Sequence, residues 1–156
     1  MPAKSSQNTT IIKLLIDAYN AELETVMNYI ANSVNLDGVR AEQIKSSLLA
    51  DVPAELGHAQ LIARRIKTIG GQVPGSLALS WEQKMLQPPK DTTDLVKVIK
   101  GVIAAEESAI AMYEKIIKAC DGKDYVTQDM AITILADEQE HRQEFVGFLK
   151  EYAKKG

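Results

Sequence analysis

The two histidines of this chain each follow a glutamate by three residues, in Glu55-Leu-Gly-His58 and Glu138-Gln-Glu-His141. Glutamate accounts for only twelve of the 156 residues, so chance rarely produces both pairs. Residues i and i+3 share one face of a helix, so each pair offers a carboxylate oxygen and an imidazole nitrogen to a common point. Two such pairs, completed by one glutamate from each of two further helices, form the ligand set of a carboxylate-bridged dimetal site inside a four-helix bundle. The chain must then supply two more buried glutamates.

It does so within four long amphipathic stretches, at about 8–35, 39–69, 91–120 and 125–154, each about 45 Å long as a helix. Short polar turns, Asn35-Leu-Asp-Gly38 and Asp121-Gly-Lys-Asp124, join the first to the second and the third to the fourth. Turns this short force antiparallel neighbours. Between the halves, a segment at about 70–90 runs from Gly70-Gly71 through Pro74-Gly75 to Pro88-Pro89. Its roughly 20 residues can extend about 66 Å, enough to cross the bundle and start the third helix beside the start of the second. Pro53 interrupts the second stretch by removing a backbone hydrogen bond and crowding the carbonyl of Leu49. A kink just before Glu55 is favoured there over a helix that ends near Ala50 and restarts with Asp51 as its cap. Trp81, in the crossover, reads as a dimer-contact or groove-filling residue.

Glu106 falls in the apolar stripe of the third stretch, between Val102 and Ala109, whereas Glu107 shares a face with Lys100 and Glu114 and reads as half-exposed. Leu15, Tyr19, Val26 and Tyr29 flank Glu22 on the first stretch, and Leu48, Val52, Ala59, Ile62 and Ile66 flank Glu55 on the second. On the fourth, Ala131, Ile134, Phe145, Phe148 and Tyr152 mark the face that holds Glu138 and His141. A lone carboxylate on an apolar face is costly, and four at one level repel one another. Two divalent cations resolve this, because four carboxylates and two neutral imidazoles hold them at zero net charge. No Arg or Lys falls on these stripes near the acids to serve instead.

The halves also echo each other. Ala21-Glu22-x3-Val26-x2-Tyr29 matches Ala105-Glu106-x3-Ile110-x2-Tyr113, and the two glutamate separations, Glu22 to Glu55 and Glu106 to Glu138, are 33 and 32 residues. Two helix hairpins about a pseudo-two-fold axis would bring all four acids together near mid-bundle.

The whole chain is consistent with one domain, 1–156, enclosing an aliphatic core: 46% of residues are apolar and only 5% aromatic. A formal charge of −3 gives no electrostatic case for nucleic acid or an anionic membrane. No apolar run is long enough to span a membrane, and the start Met1-Pro-Ala-Lys-Ser-Ser has no signal-peptide core, so a cytoplasmic location is expected. The single Cys120 excludes an internal disulfide or a four-cysteine metal site within one chain, and reads as a small core residue.

With these residues in place, the chain resembles the all-α ferritin-like superfamily, and within it the bacterioferritins and the bacterioferritin-like Dps-like proteins. The resemblance covers all four helices and is strongest in Asn20-Ala-Glu-Leu and in residues 124–141, which end at Glu138-Gln-Glu-His141. It implies a four-helix bundle with a long crossover between the second and third helices. By position, Glu22 and Glu106 resemble terminal ligands, Glu55 and Glu138 the metal-bridging carboxylates, and His58 and His141 ligands of one metal each. Tyr29 is similar to a family tyrosine that can take part in redox chemistry; simple core packing fits it as well. Departures narrow the resemblance. Leu56 stands where bacterioferritins carry a haem-ligating Met, so haem is not expected. Only 15 residues follow His141, which leaves no room for a fifth helix and favours a dodecamer over a 24-mer. Rubrerythrins carry an extra carboxylate one turn from the third-helix Glu; here Ile103 and Ala109 flank Glu106 at that distance.

The implied function is a ferroxidase that oxidises Fe(II) with dioxygen or hydrogen peroxide, takes two iron ions per subunit, and stores the product in a homo-oligomeric cage. Manganese or zinc could occupy the same ligands. The rivals are a diiron or dimanganese peroxidase without storage, and a Dps-type DNA-protecting protein. DNA affinity is expected to be low, with Lys4 and the cluster Lys150, Lys154 and Lys155 as the features that could reverse it.

Overall fold

The computed structural model describes residues 2–154, with side chains from Gln7 onward; Lys155 and the side chain of Lys4 lie outside the described residues. Four helices carry the fold: α1 (Pro2–Asn35), α2 (Ala41–Thr68), α3 (Leu95–Cys120) and α4 (Tyr125–Tyr152). No strand occurs among the described residues, and the protein is all-α. α1 packs on α2 and α3 on α4 as two hairpins, and α1 lies against α3.

The ends differ from the periodicity by a few residues, for local reasons. α1 reaches back to Pro2 rather than residue 8, since proline is tolerated in a first turn and no breaker follows it. α3 begins four residues later than 91. The Asp91 carboxylate accepts from the Thr93 amide at 2.9 Å in a local turn, and Asp94 caps the helix by accepting from Lys97 N at 3.1 Å. Asp124 caps α4 in the same way, through Thr127 N at 3.0 Å. Asp124 also accepts from Arg65 Nη2 at 2.8 Å, which ties the end of α2 to the start of α4. α2 runs unbroken through Pro53, so Asp51 is an interior residue and not a cap. Gly38, in the α1–α2 turn, has φ +100°, a conformation that favours glycine.

The crossover returns along α1, held by a ladder of polar residues at every fourth position. Asn20 exchanges two hydrogen bonds with the Ser80 backbone, and Glu24 accepts from Gln83 N at 2.6 Å. Asn28 Nδ2 donates to the Gln83 side-chain oxygen at 3.1 Å, and Asn32 Nδ2 to Leu86 O at 2.8 Å. Glu24, Asn28 and Asn32 are buried by this docking. Trp81 remains about half exposed in the segment. The crossover backbone also presses on α3 at Gly101, where a Cβ would sit 2.2 Å from Met85 O.

The apolar core is divided. One cluster joins Tyr29, Leu36, Ile44 and Leu48 to Val98, Ile99, Val102 and Phe145. The other joins Leu15, Ala18, Ile62 and Ile66 to Tyr113, Ile116, Ala131 and Ile134. α2 and α3 thus start at the same end of the bundle, as the crossover length requires. A polar layer lies between the two clusters.

Candidate metal centre

That layer contains Glu22 from α1, Glu55 and His58 from α2, Glu106 from α3, and Glu138 and His141 from α4. All four carboxylates are at least 96% buried. Each falls on its helix's inward stripe because the apolar residues three and four positions away must face the core. All six residues come together. Glu22, Glu55, His58 and Glu138 each place one donor atom within 4.8 Å of the others, and so do Glu55, Glu106, Glu138 and His141. Glu55 and Glu138 belong to both groups, so the geometry is that of two adjoining ligand sets sharing two carboxylates. Glu107 lies outside, exposed and paired with Arg142 Nη2 at 2.9 Å.

Both imidazoles turn Nδ1 inward. His58 Nδ1 is 2.9 Å from Glu138 Oε1, 3.6 Å from Glu55 Oε2 and 3.7 Å from Glu22 Oε1. His141 Nδ1 is 3.1 Å from Glu55 Oε1 and 3.9 Å from both Glu106 and Glu138. Each Nε2 faces an outer carboxylate: Asp137 at 2.9 Å from His58, and Asp51 at 3.6 Å from His141. The His58–Asp137 contact is a hydrogen bond of the kind that holds a metal-ligating histidine in one tautomer, whereas Asp51 lies just beyond hydrogen-bond reach of His141. Tyr29 donates its hydroxyl to Glu106, and Tyr113 donates to Glu22. Each phenol sits seven residues after its own helix's glutamate and reaches the glutamate of the other helix.

The donor set fits a pair of cations. His58 Nδ1, Glu106 Oε2 and Glu138 Oε1 are buried without a hydrogen-bond partner, because the 2.9 Å approach of His58 to Glu138 is not aligned as one. Orphaned buried polar atoms are rare and costly, and a cation among them would satisfy all three. Without one, protons must do the work. Burial lifts Glu22 well above the usual carboxylate range, Glu106 to about 11 and Glu138 to about 7. For Glu55 burial acts the same way, but its interactions with Glu22, His141 and His58 outweigh it and hold the group low. Burial opposes imidazolium, yet the surrounding carboxylates raise His58 strongly and His141 to about 9. Among the described residues no Lys or Arg bridges to any of these four glutamates.

Three participants escaped the sequence reading. Tyr113 was legible in the internal repeat, as the counterpart of Tyr29. Asp137 adjoins Glu138, but nothing in the spacing says which way it points. Asp51 enters the sequence reading only as the cap of the less favoured, restarted helix; it is 7% exposed, and burial lifts it to about 6.

A ferritin-like domain model matches residues 12–154. Among curated proteins, the chain is 28% identical over 135 residues to the DNA protection during starvation protein of Pyrococcus furiosus, covering 84% of this chain and 72% of that one. Among solved structures, it is similar to the bacterioferritin-related protein of Bacteroides fragilis, a dodecameric thioferritin. The TM-score is 0.81 with 26% identity, over 94% of this chain and 88% of that chain. The fold is also that of the Desulfovibrio desulfuricans bacterioferritin, with TM-score 0.77 and 21% identity over 94% and 82% of the two chains. Four helices with a long crossover, and a buried layer of four glutamates and two histidines between two apolar clusters, agree with these matches, and the chain belongs to the ferritin-like domain family.

Proposed function

We propose that the chain is a ferroxidase acting as one domain, 1–156. Two Fe(II) ions would be its substrate at Glu22, Glu55, His58, Glu106, Glu138 and His141, each giving up one electron to dioxygen or hydrogen peroxide. The observation that carries this reading is the pair of four-residue donor groups that share Glu55 and Glu138. Hard carboxylate oxygens favour iron as its charge rises, and flexible glutamates can follow the change in coordination. Glu55 and Glu138 are assigned as the bridging residues and the other four as terminal ligands. Tyr29 and Tyr113 would hold Glu106 and Glu22 in place as hydroxyl donors; a redox role for Tyr29 is part of the same reading.

Storage in a closed homo-oligomer, most simply of twelve subunits, is supported by the dodecameric state named for the Bacteroides fragilis relative. The Pyrococcus furiosus relative's name makes DNA protection the second reading to test. Rapid mixing of the protein with Fe(II) in air tests the activity. Glu55→Ala and Glu138→Ala should each slow the initial oxidation by at least about tenfold, or about 1.4 kcal/mol of barrier. Unchanged rates in both variants would leave no ferroxidase centre in this bundle.

A further inference from the structure

Outside the six-residue layer, one acid is buried with half of its carboxylate unused. The Asp51 side chain is only 10% exposed. Its Oδ1 faces His141 Nε2 at 3.6 Å, and its Oδ2 is buried without a hydrogen-bond partner. A pair of cations in the layer would not satisfy that oxygen, because they would lie on the Nδ1 side of His141 and Asp51 lies on the Nε2 side. A second acid stands next to it. Ser47 precedes Asp51 by one turn of α2, and Glu144 follows His141 by three residues on α4. The antiparallel helices therefore set Asp51 against His141 and Ser47 against Glu144. Ser47 Oγ donates to Glu144 Oε1 at 2.9 Å and accepts from Gln43 Nε2 at 3.4 Å. Among the described residues no Lys or Arg pairs with either acid; the ion pairs of Lys45, Arg65 and Arg142 go elsewhere. Burial raises Asp51 most, His141 opposes it, and the Glu144 charge adds to the rise, as a close neighbour's would.

Two unpaired acids side by side, one of them nine-tenths buried, are costly. A water would satisfy the orphaned oxygen and leave both charges uncompensated; a cation does both. Side chains one helical turn apart are separated by about 5–6 Å at Cβ, and metal–oxygen bonds of about 2.0–2.6 Å can bridge a gap of that order. Both acids offer oxygen alone, which selects a hard ion over a soft one. We propose that Asp51 and Glu144 bind a third cation, a hard divalent ion, on the α2/α4 face outside the dimetal layer. Asp51 Oδ2 is the buried ligand. Glu144 is the exposed one, positioned by Ser47, and water from the solvent side completes the shell. The site uses none of the six donors, so it stands whether or not the dimetal reading holds. Asp137, the outer acid of His58, makes no such site: its side chain is 49% exposed and water satisfies it without a cation.

Mn(II) is the probe. Crystals soaked in it should show an anomalous-scattering peak between Asp51 and Glu144, separate from any within the layer. Equilibrium dialysis should find one more Mn(II) per chain in the native protein than in Glu144→Gln, whose affinity for that ion should fall at least about tenfold. Glutamine can still accept from Ser47 at this exposed position, so the variant should fold; circular dichroism checks that. Asp51→Asn should lose the same ion. Absence of the peak, with the layer filled or empty, would overturn the proposal. So would equal Mn(II) stoichiometry and affinity in the native protein and Glu144→Gln. A peak at Asp51 with none in the layer would support the third site and sink the dimetal reading instead.

Discussion

Five buried titratable groups and the partly buried His141, packed this closely, hold protons well outside their ordinary ranges. His141 keeps its proton to about 9 in the folded chain, against an ordinary value of 6.5. Burial alone would lower it, but the Glu55 hydrogen bond and the Asp51 and Glu106 charges prevail. A raised imidazolium stabilises the fold fully below about pH 6.5, and that contribution is lost as pH climbs through about 9. Melting of the metal-free protein should therefore fall in temperature across this interval. A metal needs neutral imidazole, so its affinity should rise across the same interval, with net proton release; calorimetry in buffers of different ionisation enthalpy reads both. The outer acids are not equal. The Asp51 side chain is 10% exposed, whereas the Asp137 side chain is 49% exposed. Asp137→Asn removes the acceptor of the 2.9 Å bond to His58 and should weaken metal binding at the centre by about 10-fold, the low end of the roughly 10–100-fold range because water can replace an exposed partner. Asp51→Asn should do so by less, because Asp51 stands 3.6 Å from His141. Competition against a chromogenic chelator measures the difference. Tyr29→Phe and Tyr113→Phe should each destabilise the protein by about 0.5–1.5 kcal/mol and slow iron oxidation to a similar degree. A large loss of activity for Tyr29→Phe alone would mark that residue as a redox participant.

At the level of elements, the crossover is as much a part of the centre's enclosure as the helices are. It is anchored to α1 by Asn20, Glu24, Asn28 and Asn32, one per turn, and it meets α3 backbone to backbone at Gly101. The contact at Gly101 leaves no volume for a methyl group. Gly101→Ala should destabilise the protein by about 1–3 kcal/mol through overpacking. Gly147→Ala, on α4, meets nothing within 4 Å and should be neutral or stabilise by up to about 1 kcal/mol, since alanine is the better helix former. Urea midpoints of the two variants should therefore move in opposite directions or by very different amounts.

The whole molecule leaves apolar surface uncovered. On α1, Met27, Ile30 and Val34 share one outer face and are 46%, 45% and 70% exposed. On α2, Leu49, Leu56 and Leu61 are also partly exposed. Helix faces of this kind are a signature of association, and the proposed storage of oxidised iron would need an enclosed volume that one 17.1 kDa chain lacks. Sedimentation should show a closed oligomer, and Ile30→Glu should shift it to smaller species without loss of helicity. The charge of −3 per chain grows with each added subunit, so binding to DNA at physiological salt should be weak. Lys150 and Lys154 are exposed near the end of α4 and are the residues to replace if DNA is retained. Among the described residues, no helix is long and apolar enough to cross a membrane.

The fold and the clustering of the six side chains were legible in the sequence because both rest on short-range periodicity. An i, i+3 spacing decides that Glu55 and His58 share a face, and the apolar residues around Glu22 and Glu106 decide which face is inward. Turn lengths and crossover length then leave few ways to pack four helices. What periodicity cannot reach is any relation between residues on different helices. That Tyr29 serves Glu106 and Tyr113 serves Glu22, that Asp51 faces His141 rather than capping a helix, and that Asn20 to Asn32 hold the crossover all depend on how the hairpins dock. The outlying acids are the extreme case. Asp51 and Glu144 sit on helices of different hairpins, and an orphaned carboxylate oxygen shows itself only once every neighbour is in place.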